Sequence, residues 1–254
     1  MKITLLGTGT SQGVPVIGCR CEVCLSGDPH DQRLRTAALV ETDEVTVVID
    51  VGPDFRQQML RADVNSLDAV LITHEHNDHI IGMDDVRPFN FLYKKAMPVH
   101  ASAEVLEMLK ERFAYAFSAR PYPGAPAFSM SAISKGRPFS VGSLNILPIE
   151  VMHGSLPVLG FRFGPLAYIT DAKTIAGDQL ALLEGVEVLI LNALHHKEHY
   201  SHLNLEGALA LIEQLSPREA WLTHISHSMG LHREINQQLP DHIQLAHDTQ
   251  VIEI

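Results

Sequence analysis

The sequence predicts an α/β fold of four layers, αββα, in which two β-sheets stack face to face and helices cover their outer sides. Three observations predict it. Short β-branched runs recur along the chain, helical patterns fall between them, and the strand-rich stretches come in two sets, one early and one late. The chain has 254 residues, 46% of them apolar, enough for one large core. A single domain over residues 1–254 is therefore expected.

The first strand is read at Lys2 to Leu6 and stops at the turn Gly7-Thr8-Gly9-Thr10. Two more follow at Ala38 to Thr42 and Val45 to Asp50. Pro53 to Ala62 sets Phe55, Met59 and Leu60 along one helical stripe, and Ala69 to Thr73 returns to strand. Ala103 to Ala116 is a longer amphipathic stretch. From Ser118 to Pro138, six prolines and glycines (Pro121, Pro123, Gly124, Pro126, Gly136, Pro138) break regular structure. A loop of that length is expected to be a lid or binding loop, against a plain surface insertion. The second set of strands reads Asn145 to Met152, Leu159 to Phe163, Leu166 to Thr170 and Glu187 to Asn192. A helix at Leu205 to Leu215 follows, with Asn204 suited to its N-cap. Strands at Ala220 to Thr223 and Val251 to Ile254 close the chain, and no internal repeat is visible.

Composition excludes several classes. The formal net charge is −11, with 19 Lys and Arg against 30 Asp and Glu, and no basic stripe interrupts it. Gripping a long polyanion needs such a stripe, so no long nucleic acid is expected as partner. No apolar run approaches the roughly 20 residues that span a bilayer, and Met1 to Gly7 is too short for a signal peptide. A cytoplasmic protein with no membrane partner is the expectation. Its three cysteines, Cys19, Cys21 and Cys24, fall within six positions. An odd, crowded set in a reducing compartment points to a metal or a reactive thiol, not to disulfides.

The chemistry concentrates at His74-Glu75-His76-Asn77-Asp78-His79, directly behind the strand Ala69 to Thr73. Imidazole and carboxylate are ligands for zinc, manganese or iron, and burying so many polar groups without partners would be costly. Further donors stand behind other apolar strands: His153, Asp171 and His224. Open α/β sheets place their sites at such strand ends. Arg87 is within reach for a phosphate contact or is an ordinary surface residue. His195, His196 and His199 either approach substrate or form a solvated loop.

The order His-x-His-x-Asp-His followed by His, Asp and His resembles the metallo-β-lactamase superfamily, from Gly7 to Asp248. Gly7-Thr8-Gly9-Thr10-Ser11-Gln12-Gly13-Val14-Pro15, then Cys19-x-Cys21-x-x-Cys24, is similar to its PhnP-like cyclic phosphodiesterases. Thr223-His224-Ile225-Ser226-His227 and Ser201-His202-Leu203-Asn204-Leu205 carry the same likeness. The resemblance implies two divalent ions, zinc or manganese with iron also compatible. His74, His76 and His153 would hold one, Asp78, His79 and His224 the other, and Asp171 would bridge them. It implies hydrolysis of a small phosphodiester substrate, such as the cyclic diester phosphoribosyl 1,2-cyclic phosphate, by a water activated between the ions. Asp78 would also hold that water, and His202 would protonate the leaving oxygen. It further implies a structural zinc on Cys19, Cys21, Cys24 and His227, and it is compatible with a homodimer. The likeness fades between Arg87 and Ser140, where lid and pocket residues would lie. Two other readings compete: RNA cleavage of the tRNA 3′-processing type, and a non-catalytic PqqB-like binding protein.

Overall fold

A computed structural model describes all 254 residues, Met1–Ile254. Two seven-stranded sheets stack with helices on both outer faces, as the sequence predicts. The first sheet takes β1 (Lys2–Gly7), β2 (Ala37–Glu41), β3 (Thr46–Ile49), β4 (Ala69–Leu71), β5 (Met97–Ala101) and β6 (Phe128–Ala132), with β14 (Gln250–Glu253) on the edge beside β1. The second takes β7 (Phe139–Val141), β8 (Leu144–His153), β9 (Leu156–Phe163), β10 (Leu166–Ile169), β11 (Val188–Asn192), β12 (Glu219–Thr223) and β13 (Ile243–Leu245), in chain order. The chain passes from one sheet to the other between β6 and β7 and returns once, for β14.

Each sheet has three antiparallel pairings followed by three parallel ones. In the first the parallel half runs β3-β4-β5-β6, and in the second it runs β10-β11-β12-β13. The pairing pattern is thus duplicated, although the sequence shows no repeat. β3 and β10 hold the same place in their sheets.

Alternation along the strands decides which layer each residue feeds. Val47 and Ile49 of β3 and Val188 and Ile190 of β11 point between the sheets, packing with Ile3, Phe161 and Tyr168. Val48 points outward against α1 (Phe55–Arg61) and α4 (Ala103–Arg112), where Phe55, Val105 and Leu109 are buried. Leu189 and Leu191 point the other way, against α6 (Leu205–Leu215) and its Ala208 and Ile212. With both faces of the parallel strands covered, their sequences read as unbroken apolar runs. Each such side chain contributes about 1.5–3 kcal/mol on burial. Short helices complete the layers: α2 (Asn77–Ile80), α3 (Arg87–Tyr93), α5 (Gly177–Ala181) and α7 (His232–Asn236). No helix is long and apolar enough to cross a membrane.

The sequence reading needs several corrections. Strands β5, β6, β7 and β13 were not anticipated, and β6 falls within the stretch read as irregular. It pairs only with β5, at the sheet edge, with Ser129 and Ser131 along it, so its apolar signal is weak. The helix expected to reach Ala116 stops at Arg112. His153 is the last residue of β8 and does not follow it.

Candidate metal centre

The parallel strand ends of both sheets meet at one place. β3 is followed by Asp50, β10 by Asp171 and β12 by His224, and all three residues are forced into the left-handed region, at φ +65°, +59° and +56°. That conformation is uncommon for side chains with a Cβ and is characteristic of functional turns. The motif after β4 is seated by two glycines. A Cβ on Gly52 would stand 2.1 Å from the Asp78 carbonyl oxygen, and one on Gly82 would stand 2.0 Å from that of Gly52. The close approach lets Val51 N–H donate to His79 O at 2.7 Å and Gly82 N–H to Val51 O at 2.9 Å, which fixes α2 against the end of β3.

Every donor expected from the sequence arrives there. His74 Nε2 lies 2.9 Å from His76 Nδ1 and 3.9 Å from Asp171 Oδ2. His79 Nε2 lies 3.3 Å from Asp78 Oδ2 and 3.5 Å from Asp171 Oδ1. His224 Nδ1 is 3.1 Å from Asp171 Oδ1, and the ring of His153 packs 5.2 Å from that of His76. Asp171 therefore turns one oxygen to His79 and His224 and the other to His74 and His202, whose Nδ1 is 4.0 Å away.

The far side of each ring is tied down. His79 shares a 2.6 Å hydrogen bond between Nδ1 and Asp50 Oδ2, and Asp50 also accepts from the Thr73 N–H. His153 Nδ1–H donates to Ser201 O at 2.9 Å, leaving Nε2 as the ring's acceptor. Thr10 Oγ1 meets His224 Nε2 at 3.2 Å. Asn192 braces the Asp171 turn, accepting from Ala172 N–H and donating to Ala172 O. Such partners fix the tautomer and direction of metal-binding imidazoles. Sequence reasoning missed Asp50, Thr10 and Asn192; only Asp50 left a signal, a carboxylate ending an apolar strand.

Electrostatics favour cations here. Burial alone would lower His79, yet Asp171 and Asp50 hold it well above the usual imidazole range. Burial alone would raise Asp171, yet His224 and His79 hold it well below the usual carboxylate range. Burial pushes His74 well down, so it presents a neutral lone pair. Burial raises Asp50 against the pull of His79, so Asp78 and Asp171 are the charged carboxylates of this space, with His79 as their main cationic neighbour. Three buried nitrogens, His79 Nε2, His202 Nδ1 and His224 Nδ1, find no hydrogen-bond partner. Unpartnered ring nitrogens that can offer lone pairs, gathered around a carboxylate between two sheets, fit a site for divalent cations.

His202 is buried beside this group, its ring 4.4 Å from that of His153 and 4.8 Å from that of His224. Burial holds it down at about 3, so it stands neutral. The ligand atoms of His153, Asp171 and His202 also lie within 4.8 Å of one another. His199 packs against His202 at 5.2 Å, whereas His196 Nε2 meets the Met229 carbonyl. Arg87 is engaged by Asp84 at 2.7 Å. A cavity of about 1040 Å³ lies along α6 between Leu209, Glu213 and His242 and does not contain the His and Asp group.

A second cluster brings Cys19, Cys21, Cys24 and His227 together. Their three Sγ atoms stand 3.3, 3.4 and 3.4 Å from His227 Nδ1. One ring nitrogen offers a single proton or a single lone pair, so it cannot satisfy three sulfurs. A tetrahedral zinc with arms of about 2.3 Å to sulfur and 2.0–2.1 Å to nitrogen has S–N edges of about 3.5 Å, which these distances match. A backbone hydrogen bond from Cys24 pulls the Cys21 thiol down to about 6. The two clusters are joined through backbone, because Thr10 N–H donates to Ile225 O and Ile225 N–H to Thr8 O.

A beta-lactamase superfamily domain model matches residues 45–225. A Porphyromonas gingivalis protein named octanoyltransferase is 43% identical over 250 residues, covering 98% of this chain and 50% of its own length. Ribonuclease Z of Bradyrhizobium diazoefficiens is 29% identical over 139 residues, 53% of this chain and 46% of that protein. The chain spans about half the length of these curated relatives. Among solved structures, a diphosphatase of the PhnP family superposes with a TM-score of 0.92 at 40% identity, covering 100% of this chain and 97% of that one. Zinc-bound PqqB from Methylobacterium extorquens superposes at 0.79 with 19% identity, all of each chain being covered, which shows a shared fold.

Proposed function

We propose, for a chain that belongs to the metallo-β-lactamase superfamily and its PhnP-like branch, a metal-dependent phosphodiesterase that hydrolyses a small cyclic phosphodiester such as phosphoribosyl 1,2-cyclic phosphate. One observation carries the reading: Asp171 directs its two oxygens to two different sets of histidines. That arrangement suits a carboxylate shared by two cations, one on His74, His76 and His153 and one on Asp78, His79 and His224. Zinc, manganese and iron all accept such donors. Bound there, two divalent ions would neutralise phosphate oxygens and acidify a water.

The chain's own groups do the rest. Asp78, which His79 holds below the usual carboxylate range against burial, accepts a hydrogen bond from the attacking water. Asp50, Ser201 and Thr10 keep the rings aimed at the substrate phosphate. His202 carries a proton on Nδ1 to the departing oxygen. Neutral before substrate arrives, it takes up the proton that the attacking water loses and passes it to the departing oxygen, so the step balances.

The name octanoyltransferase belongs to a protein of which this chain matches half, so an octanoyl thioester is included in the test. The purified chain, loaded separately with Zn²⁺ and Mn²⁺, is given phosphoribosyl 1,2-cyclic phosphate, bis-nitrophenyl phosphate, structured RNA and an octanoyl thioester. The expected order by kcat/KM puts the cyclic diester first and RNA last. Preferred cleavage of RNA or of the thioester overturns the reading.

A further inference from the structure

All three thiols of the chain stand in one cluster, where Cys21 is exposed and Cys19 and Cys24 are half-buried. Cys21-Glu22-Val23-Cys24 closes a turn, in which Leu25 N–H donates to Cys21 O at 3.0 Å and Ser26 N–H to Val23 O at 3.2 Å. Residues three apart in such a turn lie on one side of it. The three Sγ atoms and the His227 ring nitrogen all lie within 4.8 Å of one another. A disulfide closes at about 2.05 Å, so side-chain rotation brings Cys21 and Cys24 to bonding distance.

The cluster is also wired to the other metal centre. His227 lies three residues beyond His224, and Ser226 N–H between them donates to Leu194 O at 3.0 Å. On the other side, Thr8 and Thr10 hold Ile225 by backbone bonds of 2.9 and 3.1 Å, and Thr10 Oγ1 meets His224 Nε2 at 3.2 Å. Those threonines lead into the cysteine loop, whose regular structure from Gly13 to Gln32 is two single 3-10 turns, Val23–Leu25 and Pro29–Asp31. With so little else to fix the loop, opening the cluster loosens the frame around His224.

We propose that Cys21 and Cys24 are an oxidation site, at which a peroxide closes them into a disulfide, empties the zinc site and slackens the His and Asp group. The exposed Cys21 sulfur, a thiolate when it binds zinc, attacks one peroxide oxygen; the O–O bond breaks, a sulfenic acid forms and hydroxide leaves. The Cys24 thiolate then attacks the Cys21 sulfur, the S–O bond breaks and a second hydroxide leaves. Two solvent protons turn both hydroxides into water; the sulfur pair loses two electrons and the peroxide gains them. Cys19 and His227 alone leave a tetrahedral zinc two ligands short. The backbone bonds to Thr8 and Leu194 survive, so the effect at His224 is partial, about 10–100-fold, as for loss of an outer partner of a metal ligand.

The test exposes the zinc-loaded chain to millimolar hydrogen peroxide. Zinc content should fall by one per chain. Trypsin cuts after Arg20 and Arg33, so the disulfide should appear as a loss of two hydrogens within the Cys21–Arg33 peptide, with Cys19 separate. Chelator should then strip the remaining ions about tenfold faster or more, and turnover of bis-nitrophenyl phosphate should fall in step. Dithiothreitol with added Zn²⁺ should reverse all of this. Cys21→His offers zinc two sulfurs and two imidazoles but no partner for Cys24, so it should keep its zinc through the same treatment. An unmodified Cys21–Arg33 peptide with zinc retained overturns the proposal, as does zinc loss from Cys21→His at the wild-type rate. A disulfide that changes neither ion stripping nor turnover overturns the link to His224. A chain that cleaves no phosphodiester loses the reaction reading alone, because peptide mass, zinc content and ion stripping still decide this one.

Discussion

Asp171 meets His79 and His224 with one oxygen and His74 and His202 with the other, so an amide there removes charge from both halves of the site at once. Asp171→Asn should lose at least one divalent ion per chain and lower phosphodiesterase turnover by several orders of magnitude. Elemental analysis with two ions retained and turnover intact would sink the shared-carboxylate arrangement. His202 poses a different question, because its Nδ1 is placed both to move a proton and to touch a cation. His202→Ala should keep both ions and slow an alkoxide leaving group by about 10²–10⁴-fold. Nitrophenolate, which departs without a proton, should be affected little, and loss of an ion would reassign His202 as a ligand. The titratable residues behind apolar strands were legible in the sequence because burial without partners would be expensive. Which ring nitrogen faces the site was not legible, since that depends on Ser201 beside His153 and Thr10 beside His224, partners 48 and 214 positions away.

At the scale of elements, the loop holding Cys19, Cys21 and Cys24 has little apolar content and is held by polar contacts. Asp31 accepts from Ser26 Oγ at 2.6 Å and from the His232 N–H at 2.7 Å. Cys21→Ser should remove one zinc per chain, lower the Tm and leave the other two ions mostly in place. All three thiols reacting freely in the native protein, with zinc content unchanged by the substitution, would rule the site out. α7 adds an acid-sensitive contact to the same loop. Burial, helped by Arg33, His30 and His247, lowers His232 to about 4, and Arg33 Nη2 stands 3.1 Å from its Nδ1. A base whose folded pKa lies below its unfolded value of about 6.5 costs stability as pH falls. The contribution is whole above pH 6.5 and is lost on the way to pH 4, by at most about 3 kcal/mol. His232→Gln, which still offers Arg33 an acceptor, should flatten the urea-unfolding stability between pH 6.5 and 4 relative to wild type; an unchanged slope would refute this. The helix at Leu205–Leu215 and its Asn204 cap were readable because period and cap agree, Asn204 Oδ1 accepting from Gly207 N–H at 3.1 Å. β7 and β13, at three residues each, are too short to show a period.

Across the whole molecule, the layered architecture was legible because apolar runs long enough for buried strands must pair somewhere. The duplicated pairing of the two sheets was not, since backbone pairing repeats without any repeat of side chains. That duplication sets β3 and β10 in matching places, each leading to a left-handed Asp at the seam. The chain crosses between sheets once, through Ile133 to Pro138, and only β14 goes back. His74, His76, Asp78 and His79 belong to the first half, and His153, Asp171 and His224 to the second. Cations bound across that seam would act as crosslinks supplied by the solution, whose strength follows mass action. Their contribution grows as RT ln(1 + [M]/Kd), reaching about 4 kcal/mol at a thousandfold excess over Kd. A chain cut within Ser134–Gly136 and expressed as two pieces should therefore reassemble through the 21-residue core between the sheets. Its apparent dissociation constant, measured by analytical ultracentrifugation, should tighten as Zn²⁺ or Mn²⁺ is raised and weaken with chelator. Reassembly indifferent to added metal would mean that the apolar interface alone closes the sandwich. Metal supply would otherwise set how long the two halves of this protein stay together.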